Sequence, residues 1–269
     1  MRARLAALAW MVAAVSVACF AATWVLAAAH RDLLDITTDA SPDRFMAAYA
    51  IAGAVLASRR AANPIGWLLL GLGLVVATRG LAGEYALHAL AGGAHPATAV
   101  WAVWFVHWSL SLLFPSGVLM FVLLLFPNGR PLTPRWRMVG WLGAALAACA
   151  VLATWVAPGA VAVGPGQPSV PNATCIAGWT FAGAIAGAAF PLGWLCLLAA
   201  VVSLAVRYRR SAGEERLQFK WFAFAAVMSL VLLTALLPGR ITDSALAFSL
   251  VRSRIGQPRA ASSPTFRDA

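Results

Sequence analysis

The chain has 269 residues, of which 62% are hydrophobic and only 11% charged, and its mean hydropathy is +0.81. A soluble domain of this length would not be so apolar, so composition points to an integral membrane protein. The formal net charge of +11 does not mark a nucleic-acid partner, because the arginines sit in short breaks between apolar runs and form no continuous basic face to follow a phosphate backbone.

A first span is expected over residues 5–29, too long for the apolar core of a signal peptide and so read as an anchor. The segment 30–44 carries Asp32, Asp35, Asp39 and Asp43 and belongs on the outer side. A second span, 45–58, is short against the roughly 20 residues that cross a bilayer, and local thinning or flanking arginines that snorkel must make up the difference. The third starts at Pro64 and runs outward past Trp67 to a polar end at Arg79 and Glu84. A fourth, 98–126, is rich in tryptophan at its outer end and is expected to kink at Pro115. The fifth covers 136–156, and the Pro/Gly-rich segment 158–175 that follows lacks Lys and Arg, as an outer loop should. The sixth covers 179–206 and the seventh 219–237. The fold class is therefore all-α, a polytopic transmembrane helical bundle of about seven spans over residues 1–237. Residues 238–269 form a Ser/Pro/Arg-rich tail, disordered or interfacial, whose arginines break the charge pattern of the rest.

Three breaks repeat one device. Arg59 and Arg60 lead into Asn63-Pro64, Arg130 into Thr133-Pro134, and Arg207, Arg209 and Arg210 into Ser211 with Glu214. A side chain able to cap a helix, followed by Pro at the first helical position or by Glu three residues on, satisfies orphan backbone N–H groups where a helix begins. The positive-inside rule places these breaks, with Arg2 and Arg4, on the cytoplasmic side of the inner (cell) membrane, and the N-terminus with them. Glu214 and Glu215 face the preceding arginines across the third break, and Lys220, the one lysine of the chain, closes it. In the second, Asn128-Gly129 suits a tight reversal, while Arg130, Arg135 and Arg137 anchor to anionic lipid headgroups.

The same breaks carry a resemblance. The segments RRAANPIGWLLLGLGL at 59–74, FPNGRPLTPRWRMVGW at 126–141 and RYRRSAGEERLQFKW at 207–221 resemble, in order and spacing, the N-terminal membrane region of actinobacterial sensor histidine kinases of two-component systems. The resemblance covers residues 1 to about 237 and implies a membrane-embedded input module that precedes cytoplasmic dimerisation and ATP-binding domains. The chain departs from that family where the chemistry would be. None of His30, His88, His95 and His107 lies on a soluble helix beside an acidic residue, as a phosphoacceptor does, and the 32 residues after 237 are too few to enclose ATP. The expectation is thus a truncated or stand-alone sensor-like module, not itself an enzyme, with membrane lipid and either a second copy or a related membrane kinase as partners. A small transporter is the rival from another class, and a non-catalytic partner that pairs with an intact kinase's membrane region through Gly183, Ala184 and Gly187 is a third reading.

Few residues suggest chemistry. Arg79 and Glu84 either face a ligand crevice or snorkel at an interface, the simpler role. His107, set among Trp101, Trp104, Phe105 and Trp108, is read as a packed, hydrogen-bonded histidine, with a ligand-facing role as the alternative. Cys19, Cys149, Cys175 and Cys196 show no paired spacing, and no catalytic motif is present, so no metal, cofactor or catalytic residue is expected. The sequon Asn172-Ala-Thr174 is too common a pattern to carry weight.

Overall fold

The computed structural model describes residues 2–34, 47–91, 96–113, 117–164, 167–213, 216–217 and 219–220, with the side chains of 30–34 and 113 excepted. Met1–Phe219 form one compact unit and Lys220–Ala269 another. The expected aspartate loop, the Pro115 kink, Glu214, Glu215, most of the seventh span and the tail lie outside the described residues. The first unit is helical: α1 (Arg2–Leu34), α2 (Ala47–Arg59), α3 (Pro64–Ala91), α4 (Ala97–Leu113), α5 (Val118–Leu125), α6 (Pro134–Val156) and α7 (Ala182–Arg210). One antiparallel hairpin, β1 (Ala160–Ala162) with β2 (Ser169–Pro171), pairs Val161 with Val170 between α6 and α7.

The all-α expectation holds, but the count of spans is corrected. Among the described residues four helices, α1, α3, α6 and α7, are long and apolar enough to cross a membrane. The second expected span is the 13-residue α2, and the fourth is divided into α4 and α5. At about 1.5 Å per residue, α2 extends only some 20 Å against a hydrocarbon core of about 30 Å.

Many large apolar side chains face outward, and alanine and glycine make up much of the buried helix faces. Trp10, Met11 and Val25 on α1, Met138, Trp141 and Leu142 on α6, and Leu195, Leu198 and Val202 on α7 are exposed. Helices apolar on all sides with such rims suit lipid as solvent, where close backbone packing replaces the hydrophobic effect between helices. The α2–α3 contact illustrates the packing. A Cβ on Gly66 would lie 2.6 Å from the Ala57 backbone nitrogen, and one on Gly73 2.6 Å from that of Ala50. α1 joins through Ala9 and Ala13, which pack with Ala54, Ala57 and Leu70. Long apolar helices and lipid-like exposure together make this a membrane protein.

The two ends of the bundle differ. At one, the start of α1, the end of α2 and the start of α3 meet in the cluster just described. At the other, Val161 and Val170 of the hairpin pack on Ala86 and Leu90 of α3 and on Ala99 and Val103 of α4. Asn172, only 3% exposed, closes α6 there: its Nδ2 donates to the carbonyls of Ala157 at 2.8 Å, Trp155 at 3.1 Å and Thr154 at 3.3 Å. These are carbonyls that a helix C-terminus leaves without intrahelical donors. The sequon asparagine thus has a structural role that its sequence pattern did not disclose.

Candidate functional site: a junction of three breaks

The three breaks meet at the arginine-rich end. In the first, the backbone N–H of Ile65 donates to Asn63 Oδ1 at 3.0 Å with Pro64 at the first helical position, so the expected cap is formed. The preceding turn is tied by Asn63 N to Arg60 O at 2.8 Å and by Trp67 Nε1 to Ala61 O at 3.0 Å. Asn63 also reaches across the bundle, its Nδ2 donating to Pro127 O at 3.3 Å. It therefore caps one helix and holds the loop that follows another.

That loop is the second break. It leaves α5 through a cis Phe126-Pro127 peptide, and Gly129 N donates to Leu125 O at 2.8 Å. Gly129 has φ +71°, and a Cβ there would lie 2.6 Å from Pro64 Cδ and 2.7 Å from Asn63 Oδ1. Both backbone conformation and space require glycine. The expected reversal at Asn128-Gly129 is present. At Thr133 the expectation is half met, since Pro134 opens α6 but the Thr133 side chain makes no capping bond.

The third break supplies the clamp. Arg207, 7% exposed near the end of α7, donates through Nη1 to Phe126 O and through Nη2 to Arg130 O, the latter at 2.7 Å. These bonds span 81 and 77 residues of sequence and fix both ends of the FPNGR turn from one planar guanidinium. Around them the Phe126 and Phe219 rings meet edge to face at 5.3 Å, Tyr208 lies 5.9 Å from Phe219, and the Arg216 guanidinium sits 5.4 Å from the centre of the Tyr208 ring. The expected capping box of Ser211 with Glu214 lies outside the described residues. Ser211 ends α7, and its hydroxyl donates back to Tyr208 O at 2.8 Å.

A cleft of about 390 Å³ opens beside the clamp, between the second and third breaks, with Asn128, Arg130, Leu132, Arg207, Arg210 and Ser211 on its walls. Arg135 and Arg137 are exposed in the first turns of α6 and do not line it. Lys220 is exposed and belongs to the second compact unit. Asn63, Pro64, Asn128, Gly129, Arg130 and Ser211 thus come together through Arg207, which the sequence reading placed only among the arginines of the third break. A signal existed. Cys196, Ala200, Ser203 and Arg207 repeat at four, three and four residues on the buried face of α7, which aims Arg207 inward where Arg209 and Arg210 are exposed.

The second group of candidates lies in the other half of the bundle. Arg79 of α3 donates from Nε to Val106 O of α4 at 3.2 Å, next to His107. Arg79, Glu84 and His107 are all half-buried. Nearby, Trp104 meets Trp101, Trp108 and Trp155 at ring distances of 5.4–5.7 Å, and its Nε1 donates to Thr174 Oγ1 at 2.7 Å. Thr174 Oγ1 in turn donates to Trp155 O at 2.6 Å, which ties α4 to α6. Among the described residues the indole N–H groups of Trp108 and Trp155 have no acceptor, and no cluster of three or more His, Cys, Asp or Glu suits a metal ion. The arrangement is aromatic packing around two interhelical bonds rather than a reactive constellation. No protein-family model, curated protein or solved structure matches the chain.

Proposed function

We propose that the chain is the membrane input module of a two-component sensor histidine kinase, seated in the cell membrane with its arginine-rich end in the cytoplasm. One observation carries the reading: the three segments on which the resemblance rests, far apart in sequence, are joined by Asn63 and Arg207 into one junction at the end of α7. α7 packs along α5 and α6 through Cys196, Leu197 and Ala200 against Met120, Leu124 and Trp136. A stimulus that shifts α7 against these helices moves the Arg207 clamp, and the segment 211–220 passes the shift onward. In this role the chain binds and senses without catalysis or a cofactor. Its partners are membrane lipid and a second copy or a related membrane kinase.

The test is a chimera in which residues 1–220 replace the input region of an intact kinase. Replacing residues 211–220 by a flexible Gly/Ser sequence should abolish the response of kinase activity to membrane perturbation. An undiminished response sinks the proposal.

A further inference from the structure

The cleft beside the clamp has a chemistry that its structural role does not use. Two of its arginines, Arg130 and Arg210, come from different segments, and both are exposed. Among the described residues no hydrogen bond or ion pair engages either guanidinium. The frame that carries them is fixed, because Arg207 is nine-tenths buried and spends two N–H groups on the Phe126 and Arg130 carbonyls. The volume of about 390 Å³ falls in the usual range for small-ligand sites. Arginine forks match the oxygens of a phosphate better than a point charge does.

We propose that this cleft is a site for the phosphate group of an anionic membrane lipid. Position selects lipid over free phosphate. The cleft lies where α6 begins and α7 ends, and within two to three turns both helices present exposed apolar side chains, Met138, Trp141 and Leu142 on one and Leu198, Val201 and Val202 on the other. Acyl chains lie along these faces while the headgroup occupies the cleft, whose Leu132 wall suits the glycerol carbons. The occupant is thereby distinguished from a diffuse counter-charge under a basic surface, which needs no cleft and treats every arginine at that face alike. The inference depends on the chain lying in a membrane and not on its acting as a sensor, so the chimera above can fail while this site stands.

Native mass spectrometry of the full chain, released from bilayers containing equal phosphatidylglycerol and phosphatidylcholine, tests it. Wild type should retain phosphatidylglycerol selectively, at about one lipid per chain. Arg130→Gln with Arg210→Gln should lower that retention by about tenfold to thirtyfold, whereas Arg2→Gln with Arg4→Gln, which removes the same charge away from the cleft, should change it less than about threefold. An equal loss for both pairs would mean diffuse attraction and overturn the site. So would equal retention of the two lipids by wild type, a measurement that needs no variant to fold. Displacement of the lipid by millimolar inorganic phosphate would overturn the lipid assignment in favour of a soluble ligand.

Discussion

Replacing Arg207 by Met keeps an apolar stem of similar reach and removes only the guanidinium, so it isolates the clamp. Two charge-assisted bonds are lost, to Phe126 O and Arg130 O. In soluble proteins bonds to a charged group are worth about 1.5–3 kcal/mol each, which would sum to about 3–6 kcal/mol. Interhelical bonds in membrane proteins average only about 0.6 kcal/mol, because the unfolded chain in lipid finds other partners. The first scale applies better here: the donor is a full charge, and both acceptors are backbone carbonyls at the ends of the turn that reverses at Gly129. Removing a buried charge also relieves its desolvation, which lowers the net cost to about 2–4 kcal/mol. Arg207→Lys keeps the charge but cannot fork to two carbonyls and should cost about half as much. Reversible unfolding of the purified chain in mixed micelles, titrated with a denaturing detergent, reads these differences. A change below about 0.5 kcal/mol for Arg207→Met would refute the clamp, since even the membrane average for two bonds exceeds it.

Other changes probe separate links. Gly129→Ala should destabilise by at least about 1–2 kcal/mol for its left-handed backbone, and by more because its Cβ meets Pro64 and Asn63, whereas Gly213→Ala, with φ +56° but open space around it, isolates the backbone share in the same unfolding assay. Asn172→Ala should cost about 1–3 kcal/mol by removing the donor to the Thr154 and Ala157 carbonyls and leaving Trp155 O to Thr174 Oγ1 alone, and Asn172→Asp should fare no better because a carboxylate cannot donate to them. Gly73→Val forces α2 and α3 apart and should cost about 1–3 kcal/mol, while Gly71→Val, on the open side of the same helix, should cost less than half of that.

Local signals were legible where the physics is local. Pro64 and Pro134 open helices where the sequence places them, Asn63 caps as its type suggests, and arginines close α2 and α7 against the negative end of the helix dipole. The shape of the junction was not legible, because the Asn63, Gly129 and Arg207 contacts join positions 64 to 81 residues apart that no periodicity links. The hairpin escaped notice for another reason. Its strands are three residues each, too short to show alternation, and they are joined by a Gly/Pro-rich loop without a two-residue turn signature. The span count changed at α2, which is as short as its apolar run, and at the fourth expected span, where the backbone at Gly117 is extended ahead of α5. At Ser211 the break ends α7, and the hydroxyl bonds to the carbonyl three residues before it.

Both proposals require that the three breaks lie together on one face of a membrane, opposite the hairpin. In a background with Cys19, Cys149, Cys175 and Cys196 replaced, single cysteines at Ala62, Asn128, Arg209 and Ser169, all exposed positions, can be challenged in sealed inside-out and right-side-out vesicles with a membrane-impermeant thiol reagent. The account predicts that the first three react together in inside-out vesicles only, and that Ser169→Cys reacts in right-side-out vesicles only. Labelling that divides positions 62, 128 and 209 between the two faces would contradict it.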